Sequence, residues 1–177
     1  MDIASILEDK TQKSTEKRKA IASAIKENVF IEEALETSCN ALNEKQITVV
    51  MEAIEEITRE ESSHNNLYFL TFAKRYISTN NNSLKREAAR VIGNLAGHYS
   101  NQMADVIPIL LENAKDSGTV IRWSGAYALA RIVCLPEYAV TSLYEKLTEL
   151  CESEDDNGIK NQYLGGLKKA KKFRKEC

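Results

Sequence analysis

Acid–base, nucleophilic or metal chemistry needs histidines, cysteines, hydroxyls or carboxylates within mutual reach, and this chain offers few such sets. Its two histidines lie in Glu61-Ser62-Ser63-His64-Asn65-Asn66 and in Gly97-His98-Tyr99. Neither stands where it would activate a Ser or Cys nucleophile. The four cysteines, Cys39, Cys134, Cys151 and Cys177, form no CxxC pair and no zinc spacing. Cys39, Cys134 and Cys151 fall in apolar helical patterns and read as buried, reduced thiols. Cys177, the last residue, lacks a prenylation box. Glu32, Glu33, Glu55, Glu56, Glu60 and Glu61 read as solvated helix faces. Acid–base pairs would need environments that separate their pKa values, and nothing in these runs supplies them. Gly165-Gly166 has no following Lys-Ser or Lys-Thr, so it reads as helix packing and not as a phosphate loop. The expectation is a non-enzyme without catalytic residues, cofactor or metal. What is left is recognition. The sole Trp, Trp123, lies one helical turn before Tyr127 and close to Arg131, and Trp, Tyr and Arg dominate binding hot spots.

These residues must be positioned by helices. Hydrophobic residues make up 43% of the 177 and charged residues 28%, enough for a core. With only 7 Gly and 2 Pro, the chain has too few turn residues for a sandwich or barrel. A net charge of −2 excludes wholesale attraction to nucleic acid but leaves room for a local basic patch. There is no secretory signal pattern, and no apolar run approaches the ~20 residues of a membrane span. The expectation is a soluble, cytoplasmic protein that does not bind membranes.

The chain repeats itself. LKREAARVIGNL from Leu84, IRWSGAYALARI from Ile121 and IKNQYLGGLKKA from Ile159 start 37 and 38 residues apart. Each opens on an aliphatic residue and a base: Leu84-Lys85, Ile121-Arg122, Ile159-Lys160. Small residues follow at Ala88-Ala89, Gly125-Ala126 and Gly165-Gly166. Apolar residues at three- and four-residue steps predict a preceding helix in each case, over Leu67–Ile77, Met103–Ala114 and Ala139–Cys151. The turns between are rich in Asn, Asp, Ser and Gly, which cap helices. Two earlier helices are predicted over Val29–Leu42 and Glu44–Glu60, where Ile47, Val50, Ala53, Ile54 and Ile57 keep a helical stripe. Lys17–Asn28 reads as a half-unit cap. Residues 1–177 form one domain, with 1–16 a flexible or capping segment and 174–177 a short tail.

Helix pairs at this period, with Asp116, Ile121, Arg122, Ala126, Ala128 and Leu129 at the turn, base and core positions, resemble HEAT repeats over about Asn66–Phe173. The resemblance implies an all-α, right-handed α-α superhelix of about four helix pairs. It also implies a binding scaffold. The family's iron hydroxylases use recurring His-Glu steps, which are missing here. Lys85, Arg122 and Lys160 form a ladder expected to bond the acidic turns, Asp116 among them, as staples between repeats.

In such a solenoid the second helix of each pair lines the concave face. With Ala88, Ala89, Ile92 and Leu95 buried, Arg86, Glu87, Arg90 and Asn94 point outward. The same register gives Trp123, Ser124, Tyr127 and Arg131, then Asn161, Gln162, Gly165 and Lys169. Trp123 either packs sideways against a neighbouring helix or faces a partner. The candidate binding residues are Arg86, Arg90, Trp123, Tyr127, Arg131 and Lys169, an exposed and positively charged cluster suited to a protein partner with acidic groups. A nucleic-acid-binding module similar to HEAT-like DNA-repair glycosylases is the alternative. It rests on the basic run Lys168-Lys169-Ala170-Lys171-Lys172-Phe173-Arg174-Lys175, which the helix macrodipole also explains. The residues carry no signal of oligomeric state.

Overall fold

The computed structural model describes residues 3–27, 32–60 and 66–174. His64, Glu61, Lys175 and Cys177, and the side chains of Glu32 and Glu33, lie outside the described part. The described residues hold eleven α-helices and no strand. These are α1 (Ile3–Glu8), α2 (Ser14–Lys26), α3 (Glu32–Asn40), α4 (Glu44–Glu60), α5 (Leu67–Lys74), α6 (Asn82–Leu95), α7 (Ile107–Asn113), α8 (Thr119–Ile132), α9 (Pro136–Ala139), α10 (Leu143–Ser153) and α11 (Asn157–Arg174). A 3₁₀ turn, Ser100–Gln102, precedes α7.

The polar turns start the helices as their side chains dictate. Asn66 caps α5 by accepting from the Phe69 N–H, and Asn81 caps α6 by accepting from the Leu84 N–H. Asp156 does the same for the Ile159 N–H at 3.0 Å. Two expected helices differ from the prediction. Met103–Ala114 is helical only from Ile107, and the stretch expected over Ala139–Cys151 is divided between α9 and α10. In the second, the helix is interrupted at Val140–Ser142. Just ahead of the expected start, Pro136 follows an extended Leu135, at ψ 138°, and opens the short helix α9.

The second helices α2, α4, α6, α8 and α11 pack side by side in chain order, and α5, α7 and α10 each lie against their own second helix. One apolar cluster runs through both layers, from Ile3 to Ala170. The stripe Ile47, Val50, Ala53, Ile54 and Ile57 of α4 is buried, as are Ala88, Ala89, Ile92 and Leu95 of α6. Within the segment left as flexible or capping, Ile3, Ile6 and Leu7 of α1 are buried.

At Gly166 α11 approaches α8 closely: a methyl group there would lie 2.6 Å from the Ala130 carbonyl oxygen. Gly165 beside it has open space where its side chain would be, so only one of the two glycines serves packing. Of the expected staples, Arg122 alone makes the link. Its guanidinium pairs with Glu154 in the next turn at 3.1 Å and donates to the Asp116 and Ser117 carbonyls, also at 3.1 Å. The Asp116 carboxylate instead caps its own turn by accepting from the Gly118 N–H. Lys85 and Lys160 make no ion pair with a described residue.

Candidate functional site

Trp123, Tyr127 and Arg131 follow one another at four-residue steps on α8, so their side chains stand one above the next. The rings of Trp123 and Tyr127 stack with centroids 5.3 Å apart. The Arg131 guanidinium carbon lies 3.4 Å from the centre of the Tyr127 ring, a cation–π contact. Tyr127 is not exposed, contrary to expectation. It is 8% accessible, because its ring lies against Gly93 of α6, where a side chain would collide with it. Its hydroxyl donates to Asn94 Oδ1 at 2.5 Å. Asn94 Nδ2 in turn donates to Thr58 Oγ1 at 3.1 Å, so α8, α6 and α4 share one hydrogen-bond chain. Burial pushes the Tyr127 hydroxyl above its ordinary pKa, with the Arg131 charge opposing the shift. Trp123 is half-buried and packs against the core.

The arginines of α6 do not make a positive surface. Arg90 Nη2 is 2.8 Å from Glu55 Oε1, a charge contact without hydrogen-bond alignment, and its Nη1 donates to Glu87 at 3.1 Å. Arg86 Nε donates to the other oxygen of Glu87 at 2.6 Å. Across α4 and α2, Arg18 pairs with Glu56 at 3.0 Å. Arginine and glutamate side chains thus share a cleft of about 350 Å³ in equal numbers, four of each. Glu55 and Glu87 are 4% and 3% accessible, so neither is on a solvated face. Burial raises the pKa of Glu55, with Glu87 adding to the shift and Arg90 and Arg59 opposing it. The expected exposed, positive cluster is therefore corrected at this end of the face: its cations are neutralised by Glu87 on the same helix and by Glu55 on α4. The missed residues, Glu52, Glu55 and Glu87, had a signal in the sequence. Glu52 and Glu55 precede Arg86 and Arg90 by 34 and 35 residues, about one repeat.

At the other end the face is open. Arg131 and Lys169, both exposed, line a cleft of about 270 Å³ between α8 and α11. Arg174, in the basic run, is spent on packing: it pairs with Glu145 and donates to the Ala139 carbonyl at 3.0 Å. Cys39 and Cys151 are buried as expected, and burial pushes the Cys39 thiol up to about 11. Cys134 is only half-buried. Among the described residues no group of three or more His, Cys, Asp or Glu is placed to hold a metal ion. His98 is exposed in the turn after α6. No helix among the described residues is long and apolar enough to cross a membrane.

Paired helices, an Arg-bonded turn and small residues at close helix approaches define an α-helical repeat. Residues 82–132, spanning α6 to α8, match the model of a HEAT-like repeat. The matched segment contains Arg86, Arg90, Trp123, Tyr127 and Arg131. No curated protein shows a significant match to the chain.

Proposed function

We propose that this protein is a non-catalytic interaction scaffold. It would form a right-handed superhelix of about four helix pairs and receive a partner protein on the concave side of its second helices. The observation that carries this reading is the Trp123–Tyr127–Arg131 stack: a half-buried Trp on a buried Tyr, capped by a guanidinium and held by the Asn94 bond. Rigid aromatic anchors beside Arg concentrate binding energy because little side-chain entropy is lost on association. HEAT-like repeats are typical of interaction scaffolds.

The test is Trp123→Ala, measured for thermal midpoint and for capture of partners from the native cell. The variant should fold and lose the partners, with affinity reduced by about 2 kcal/mol or more. A folded variant that captures every partner of the parent refutes the role of this face. The exposed lysines of α11, Lys168, Lys171 and Lys172, favour a second reading, a nucleic-acid-binding module. Affinity that falls steeply with the logarithm of salt concentration would support it, whereas an aromatic protein interface responds little.

A further inference from the structure

The cations of the second-helix face fall into two groups. Arg18, Arg86 and Arg90 are matched by carboxylates. Arg131 and Lys169 make no ion pair with a described residue, and the cleft that they line between α8 and α11 contains no Asp or Glu. The Cys134 thiol reports the resulting field. Burial raises its pKa, and Lys169, Arg131 and Lys172 all pull it back down. The floor of the cleft is opened by Gly165, where a side chain would meet no atom within 4 Å. Asn161 and Gln162 stand on the same wall, and neither amide is bonded to a described residue. Each offers a donor and an acceptor, the complement of a peptide main chain.

We infer that this cleft holds an extended acidic stretch of the partner polypeptide, its carboxylates on Arg131 and Lys169 and its main chain on Asn161 and Gln162. This rests on the scaffold reading above and names the chemistry of the partner. The wall from Asn161 to Lys169 is about 12 Å long at about 1.5 Å per helical residue. That accommodates about four residues of extended chain at about 3.3 Å each. The cleft lining includes no aromatic ring, so it lacks the stacking platform that single-stranded nucleic acid uses. Arg131 is pre-oriented by the Tyr127 ring, which lowers the entropy cost of binding an anion.

The test is fluorescence anisotropy with a fluorescein-labelled hexaglutamate peptide, against a Gly-Ser peptide of equal length and single-stranded oligothymidylate. Hexaglutamate should bind the full chain, and the Gly-Ser peptide should not. Lys169→Gln should weaken binding about tenfold, the usual effect of removing one charge-assisted hydrogen bond. Gly165→Leu should abolish it while leaving every charge in place. Lys168→Gln, an exposed lysine outside the cleft lining, should change it less than twofold. Failure of hexaglutamate to bind overturns the inference. Binding that ignores Gly165→Leu also overturns it, because the attraction is then general and not seated in the cleft. Oligothymidylate binding that is lost in Gly165→Leu would give the cleft to nucleic acid instead. If Gly165→Leu keeps the cellular partners that Trp123→Ala loses, the acidic cleft fails while the scaffold stands.

Discussion

Adding a methyl group to Gly166 should destabilise the protein, and adding one to Gly165 beside it should do the reverse. Both glycines sit inside α11, so replacement by Ala gains about 1 kcal/mol of helix propensity in either case. At Gly165 nothing lies within 4 Å of the new carbon, and that gain is the whole effect. At Gly166 the new carbon would lie 2.6 Å from the Ala130 carbonyl oxygen, 2.8 Å from its Cα and 2.9 Å from its Cβ. None of these atoms can rotate away, so α8 and α11 must separate. Overpacking costs about 1–3 kcal/mol, and a clash with backbone belongs at the upper end. The net loss for Gly166→Ala is then about 2 kcal/mol, some 3 kcal/mol below Gly165→Ala. At about 2–4 °C per kcal/mol for a chain of this size, the thermal midpoint should fall by about 4–8 °C for one variant and rise by about 2–4 °C for the other. Calorimetry on the two proteins decides the matter. If both midpoints move in the same direction, the α8–α11 contact described above is wrong.

Three further outcomes follow from the same contacts. Tyr127→Phe removes the hydroxyl that bonds Asn94 and should cost about 1 kcal/mol in urea unfolding; an unchanged midpoint would mean that the bond contributes nothing. Ala126→Leu adds bulk at a position with no accessible surface and should cost about 1–3 kcal/mol, and a neutral result would overturn the register assigned to α8. Burial alone would raise the Glu154 pKa, but the Arg122 hydrogen bond and the Asp156 N–H bring it below its ordinary 4.5. The stability from this pairing is full above that ordinary value and lost as pH falls through the lower folded value. Acid titration of Glu154→Gln should therefore show a smaller loss below pH 4.5 than the parent, and equal losses would remove Glu154 from the acid response.

Local pattern made some of this legible. The start of α4 at Glu44 and its course to Glu60 follow from a stripe of Ile and Val at helical spacing. The burial of Ala88, Ala89, Ile92 and Leu95 follows from the same periodicity. The pattern fails at Val140–Ser142, where the helix is interrupted inside a stretch whose apolar spacing continues. It fails again where the decisive partner is distant in the chain. An outward register for Arg90 is correct as geometry, yet its charge is cancelled by Glu55, which lies a repeat away. Tyr127 is buried because Gly93 leaves room for its ring, a vacancy that the periodicity of α8 alone does not reveal. The exposure of Arg131 and Lys169 follows from the outward register of α8 and α11.

Each second helix packs on the one before it and the one after it, so mechanical information in this protein travels by relay. The row α2, α4, α6, α8, α11 behaves as a line of coupled units whose ends have one neighbour and whose middle members have two. Opening should begin at the termini and advance inward one helix at a time. A peptide seated between α8 and α11 would add a second clasp to the last coupling in the line and leave α2 free to fray as before. Amide exchange would then slow in α8 and α11, less in α6, and scarcely at all in α1 and α2. Occupancy would thus act as a latch on one end of the array, and the protein could be held at its C-terminal side while its N-terminal side stays free to yield under load.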